Sequence, residues 1–292
     1  MKWLITGGTG QLAIALSRLL TENSIDFSLL SKDQLDISKK DSISIITRHA
    51  PEVIVNCAAW TNVDGAEGNQ EGAFQANEQG VRNVATSAKE LGARLVHVST
   101  DYVFSGDSNS PWRTDSPREP STTYGKSKLA GELAVTQIYP DQSYIIRTAW
   151  LYSPWRKNFA KTMLKMALND KDVRVVSDQV GQPTSAIDLA QQILLLIKEE
   201  VPYGCFHGTN SGEASWFEFA REIYALANVS EAHVLPISTV DYPTPAQRPM
   251  YSVLDQSDWR RTTVSPMRHW REALLDTFPL MRKEVERELS HG

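Results

Sequence analysis

Tyr124 and Lys128 stand four residues apart in "STTYGKSKLAGE" (121–132). On a helix that spacing puts both side chains on one face. A free phenol has a pKa near ~10 and is a reluctant acid. A lysine cation one turn away favours the phenolate and is expected to draw that pKa toward neutrality. Such a phenol can give its proton to a carbonyl oxygen while a hydride arrives at the carbon. A hydroxyl that holds the carbonyl oxygen completes the set, and "VHVSTDYVF" (96–104) offers Thr100 at the end of an apolar β-run. Tyr and Lys are common at surfaces, and the stretch also reads as a polar helix start. Thr100, Tyr124 and Lys128 together are far more specific than any one of them, and they are the expected catalytic residues.

A hydride needs a carrier. "LITGGTGQLAIAL" (4–16) is a β-run, a glycine-rich turn and an amphipathic helix start. Gly7 permits the tight turn, Gly10 lets backbone approach a phosphate, and Ala13 allows close helix–strand packing. The helix N-terminus offers N–H groups and a positive dipole end to a pyrophosphate. A dinucleotide is expected here. Ser31 and Lys32 follow the second β-run, where an NAD site usually has an acidic residue. A hydroxyl and a cation suit a 2′-phosphate, so NADPH is the expected cofactor, with NADH the alternative because Asp33 is close. Asp36 and Ile37 fall in the loop expected beside the adenine. Ala58 and Ala59 are small enough to pass close to the cofactor ribose, and Trp60 either packs or walls the nicotinamide pocket.

These groups need a frame. β-rich runs at 2–6, 26–30, 53–56, 94–99, 144–148 and 173–176 alternate with helix-like segments such as 11–20 and 78–91. That rhythm predicts βαβ units, a parallel sheet and an α/β, Rossmann-like doubly wound fold. It fades after residue 150. Residues 1–150 are read as the cofactor domain, with 173–200 returning to its sheet. Residues 151–292 are read as a smaller α+β substrate lobe, in which Ser215 and Glu218 form a capping box. A Ser/Pro/Asp-rich loop (105–123) with few apolar anchors is expected to fold over a substrate.

A chain of 292 residues with 22% charged residues and a net charge of −5 is no general polyanion binder. Cys57 and Cys205 lack metal-type spacing and read as free buried thiols. No cleavable signal region is read at the start, and "ILLLI" (193–197) is too short to cross a bilayer. A cytoplasmic protein that engages neither nucleic acid nor membrane is expected.

The stretches "ITGGTGQLA", "NCAAWTNVDGAE", "VSTDYVFSG", "YGKSKLAGE", "SDQVGQPTSAIDLA" and "QRPMYSVLD", in order over nearly the whole chain, resemble the extended short-chain dehydrogenase/reductase superfamily. More narrowly they resemble its dTDP-4-dehydrorhamnose reductases. The resemblance implies hydride transfer to carbon 4 of dTDP-4-dehydro-L-rhamnose, in polysaccharide precursor synthesis. It implies Tyr124 as proton donor, Lys128 as its activator and ribose ligand, and Thr100 as carbonyl partner. It implies Asp101 and Trp150 on the sugar, and Gly10, Gln11, Leu12, Asp36, Ile37, Ala59, Trp60 and Thr61 along the cofactor. Ala13, Trp60 and Tyr251 depart from the residues usual in the family. Some members hold magnesium at a dimer contact; Ile14 and Ala15 stand where one acidic ligand lies, so no metal is expected, although Asp188 remains. A homodimer stays open.

Asn158, Gln182 and Arg248 are read as facing the nucleotide diphosphate, against readings as a helix cap, loop polarity and an ion pair. A 4,6-dehydratase is disfavoured because Tyr102, not glutamate, follows Asp101. A related 4-ketoreductase or a 4-epimerase shares the trio. The regulatory subunit of methionine adenosyltransferase resembles the same family, so a non-catalytic NADP-binding role is the alternative of another class.

Overall fold

The computed structural model describes residues 1–290; residues 291 and 292 of the expected second lobe lie outside the described residues. Six parallel strands form the main sheet in the order Phe27–Leu30, Trp3–Thr6, Val53–Asn56, Arg94–Thr100, Ser143–Thr148, Gly204–His207. Trp3–Thr6 and Val53–Asn56 are buried along their whole length. That is why they read as unbroken apolar runs: helices cover both faces. Helices Gln11–Glu22 and Ala186–Lys198 bury Leu12, Leu16, Leu189 and Ile193 on one face. On the other face, helices Ser42–His49, Gly80–Leu91 and Thr123–Ile138 contribute Ile46, Val84 and Val135 to a second apolar cluster. The doubly wound α/β fold is the one expected.

The chain reverses direction across the sheet between Trp3–Thr6 and Val53–Asn56, and ligands of open α/β sheets bind at the carboxyl ends beside such a switch. Gly7 ends the first of these strands with φ +66°. A Cβ there would lie 2.8 Å from the Ala58 backbone, so the two turns approach as only glycine allows.

The expected return of 173–200 to the sheet is corrected in part. Val173–Val176 is a strand, but it pairs in parallel with Val234–Ile237 outside the main sheet. Helix Ala186–Lys198 does pack on the sheet, and Gly204–His207 is the strand that follows it in. A β-run announces a strand, not its partner. Helices Phe159–Leu168, Trp216–Leu226 and Trp270–Ser290 bury Leu164, Phe219, Ile223 and Leu274 in a separate apolar cluster. Helix Trp216–Leu226 starts with both hydrogen bonds of the Ser215–Glu218 capping box. No helix among the described residues is long and apolar enough to cross a membrane.

Candidate active site

Helix Thr123–Ile138 buries polar groups rather than an apolar stripe: Thr123, Tyr124, Ser127, Lys128 and Glu132 all face inward. Burying such groups is costly unless each is paired, and each meets a partner. Thr122 caps the helix by accepting from Gly125 N–H at 3.0 Å. Glu67 accepts from both the N–H and the hydroxyl of Thr123. The helix can come this close because Gly125 has no Cβ; one there would lie 2.2 Å from the Tyr102 carbonyl oxygen.

The structure brings Thr100, Tyr124 and Lys128 together at the carboxyl end of Arg94–Thr100. Burial pushes the Tyr124 phenol up to about 12; interaction with the Thr100 hydroxyl pulls it down, and the Asp101 carboxylate adds to the rise. Lys128 donates to the Val98 carbonyl at 2.6 Å, and burial lowers its ammonium to about 8. The expectation that Lys128 draws the phenol toward neutrality is therefore corrected. Burial sets the phenol, and the Lys128 ammonium gives one of its three hydrogens to the Val98 carbonyl. Tyr124 is a protonated phenol at neutral pH, the form a proton donor needs.

Asp101 is buried, and burial pushes its carboxyl up to about 6 despite a 2.9 Å bond from the Thr100 hydroxyl. The Ser252 hydroxyl faces its carboxylate and pulls the other way from burial, and the Thr148 hydroxyl is buried without a hydrogen-bond partner. Native structures rarely leave such groups unpaired. Trp150 sits in the left-handed region at φ +46° and stacks on Trp216 with ring centres 3.6 Å apart. A bulky residue there stores backbone strain, a feature that gathers at binding sites.

On the cofactor side, Gly10 precedes helix Gln11–Glu22 with no side-chain cap, which leaves the N–H groups of Gln11 and Leu12 to a ligand. Gln11 reaches the Leu151 carbonyl and accepts from Ser153 and Asn158. Ser31 follows strand Phe27–Leu30, and its N–H donates to Gln34. The Asp36 carboxylate accepts from Ser38 in its own turn, which overcomes burial and holds it below the usual range. Ile37 is buried, and its carbonyl accepts from Asn83. Ala58 N–H donates to Thr6, Ala59 is half-buried and Thr61 is exposed. Trp60 packs against the small cluster of Ala66, Ala73 and Tyr124, as Val63 and Tyr102 do. The glycine cradle and the uncapped helix end fit a pyrophosphate.

The three outlying polar residues spend their groups inside the protein. Asn158 caps helix Phe159–Leu168 and donates to Gln11 and Ser153. Buried Gln182 bonds Leu254 and Thr209. Arg248 pairs with Asp64 at 2.7 Å. The 105–122 segment also departs from expectation. Trp112 anchors it by stacking on Phe104 and by bonds to Val253, Asp255 and Tyr251. Cys57 and Cys205 are free and partly buried. Asp188 is held by Arg268 and Asn210, and no group of three His, Cys, Asp or Glu is arranged to hold a metal ion among the described residues.

Sequence reasoning missed Asn77, Glu67 and Glu132. Asn77 lies in a π-helical turn (Gln75–Gln79), accepts from Trp60 N–H and donates to Trp60 O and Ser127. It ties the turn after Val53–Asn56 to the helix of Tyr124. Glu132 carried a signal, since 124, 128 and 132 share one helical face.

Residues 1–282 match the family model described as the RmlD substrate binding domain. The chain is 41% identical to a dTDP-4-dehydrorhamnose reductase of Streptomyces griseus, covering 96% of this chain and 94% of that one. It is 39% identical to a dTDP-4-keto-6-deoxy-D-glucose reductase of Streptomyces niveus, covering 97% and 98%. A crystal structure of a dTDP-4-dehydrorhamnose reductase from Bacillus anthracis, in complex with NADP, superposes with a TM-score of 0.91 at 37% identity, covering 95% of this chain and 98% of that one.

Proposed function

Since the chain belongs to the RmlD substrate-binding-domain family, we propose that it is an NADPH-dependent oxidoreductase that reduces the 4-keto group of dTDP-4-dehydro-L-rhamnose to give dTDP-L-rhamnose. The observation that carries this reading is a buried, protonated Tyr124 beside Thr100 at the carboxyl end of the sheet.

NADPH, when bound, supplies the hydride; Gly7, Gly10, Gln11, Leu12, Ser31, Asp36, Ile37 and the turn 58–61 would hold it. Thr100 orients the 4-keto oxygen and Tyr124 delivers a proton to it. Lys128 keeps a cation beside the developing alkoxide. Asp101, beside the Thr100 hydroxyl, and Trp150, on its aromatic platform, would contact the sugar. We assign residues 1–150 to the cofactor and 151–292 to the substrate, with Asn158 shaping the contact between them and Arg248 at the nucleotide end. A nucleotide-sugar substrate and NADPH suit a cytoplasmic enzyme, and a homodimer is consistent with the family.

A second reading is reduction of another dTDP-4-keto-6-deoxy sugar, favoured by the likeness to the Streptomyces niveus reductase. Purified protein incubated with NADPH and each 4-keto nucleotide sugar decides between them by loss of absorbance and product analysis. No oxidation with any of them sinks the reductase reading. Tyr124→Phe and Lys128→Met are each expected to lower turnover at least ~100-fold with the fold intact. A near-normal rate removes that residue's role.

A further inference from the structure

The strand that ends at Thr100 and the helix that carries Tyr124 are joined at three successive residues. Thr100 meets Tyr124. The Val98 carbonyl accepts from Lys128. Between them, the Ser99 hydroxyl donates to Glu132 Oε1 at 2.6 Å. Glu132 is fully buried and takes three more bonds. Arg147 Nε reaches Oε1 at 2.9 Å and Arg147 Nη2 reaches Oε2 at 2.8 Å. Arg118 Nη1 reaches Oε2 at 3.2 Å. Arg147 also donates to the Thr114 carbonyl at 3.0 Å, and its guanidinium lies over the Phe104 ring. Thr114 and Arg118 both belong to the 105–122 segment.

We infer that Glu132 is a positioning residue of the reaction: its one buried carboxylate holds the proton-donor helix, the strand ending at Thr100 and the 105–122 segment in a single register. Two guanidinium groups and a hydroxyl leave no lone pair for solvent, so the carboxylate is committed to this join. A role in packing alone does not need an anion, because well-packed apolar residues often replace buried ion pairs without loss of stability. The charge has a second use. Lys128 is faced by Glu132 and Tyr124 from its own helix, by His97 from the strand and by Cys57 from the turn after Val53–Asn56. Glu132 is the carboxylate in that set and favours the ammonium.

The inference rests on the reductase reading and is tested in the full chain against wild type. Three variants are compared: Glu132→Gln, Arg118→Met, and the neutral double variant Glu132→Leu/Arg147→Met. For each, thermal unfolding, NADPH affinity by fluorescence, and the pH profile of kcat are measured. Glu132→Gln is expected to lower kcat at least ~30-fold with NADPH affinity within ~2-fold, and to move the alkaline limb of kcat by ~0.5 pH unit or more to lower pH. Arg118→Met leaves the Glu132–Arg147 pair and is expected to keep the wild-type melting temperature while kcat falls ~3- to 10-fold. The double variant is expected to fold and stay as slow as Glu132→Gln. If Glu132→Gln does not fold, the double variant decides. Wild-type kcat in the double variant, or in both Arg118→Met and a folded Glu132→Gln, overturns the assignment. A wild type that oxidises no NADPH with any 4-keto nucleotide sugar sinks the reductase reading instead.

Discussion

Tyr124, Lys128 and Thr100 were legible because their chemistry is local. Two lie one helical turn apart, and the third ends a β-run. What their spacing did not reveal is the medium around them. Burial makes Tyr124 a firmly protonated acid and Lys128 a cation that titrates near 8. Lys128 is charged below that value and neutral above it, so kcat is expected to be flat below about pH 7 and to fall as pH rises through 8. A profile flat to pH 10 removes the need for the cation. Asp101 titrates in the opposite sense for stability. Its folded-state pKa of about 6 lies above the usual carboxylate value, so the folded protein binds the extra proton between about pH 4 and 6. Stability is lost as pH rises through that window, and the penalty is fully present above 6. Asp101→Asn is therefore expected to stabilise the fold by about 1–3 kcal/mol at pH 7 and by almost nothing at pH 4, while impairing turnover. Urea unfolding at the two pH values checks this; an equal change at both places the effect elsewhere. Asn158, Gln182 and Arg248 carry two readings in sequence, a diphosphate contact or a cap, loop polarity and an ion pair, because a polar residue in a loop shows no partner there. Each has a long-range partner that sequence does not show: Gln11 for Asn158, Thr209 for Gln182 and Asp64 for Arg248.

Elements were read well where periodicity is strong, as in the first five strands of the main sheet and in the helix capped by Ser215. Partnership was not legible: Val173–Val176 looks like any other buried strand but pairs with Val234–Ile237, whereas Gly204–His207, placed behind Pro202 and Tyr203, enters the sheet. The π-helical turn Gln75–Gln79 was invisible too. A π-turn is one residue of extra winding, and no residue type marks it; such turns recur at functional sites. Here it aims Asn77 at two elements at once. Removing its side chain orphans the Trp60 N–H and carbonyl and leaves the Ser127 hydroxyl with its bond to the Tyr124 carbonyl alone. Asn77→Ala is expected to lose about 2–4 kcal/mol of stability and to weaken NADPH binding, because the turn at 58–61 is freed. Urea denaturation and fluorescence titration measure both. A variant that unfolds earlier yet binds NADPH as wild type makes Asn77 a packing residue only.

Across the whole molecule, some of the polar joins between the main-sheet half and the rest of the chain flank the glycine turn and the Tyr124 helix. Gln11 joins Leu151 and Asn158 behind the glycine turn. Opposite it, the short helix Val63–Gly68 reaches two ways. Glu67 holds the first residue of the Tyr124 helix, and Asp64 grips Arg248 and the Ala246 N–H. Segment 244–248 and the start of the Tyr124 helix are thus held by carboxylates three residues apart on one short helix. Arg248 uses two of its five donors on Asp64 and Ala246, so a diphosphate oxygen can share the same guanidinium. The Asp64–Arg248 pair is part-exposed, and such pairs stabilise a fold by only about 0–1 kcal/mol. Its effect is expected in binding instead. Arg248→Met removes the phosphate donor and Asp64→Asn loosens its placement. Each is expected to raise KM for the nucleotide sugar about tenfold, with kcat and NADPH affinity near wild type, Arg248→Met more than Asp64→Asn. Added salt is expected to raise the wild-type KM and to leave that of Arg248→Met less affected, because screening acts on a contact the variant has already lost. Steady-state kinetics at two ionic strengths reads all three. Unchanged KM in both variants reduces this join to an ion pair between two surfaces and removes Arg248 from the nucleotide end of the site.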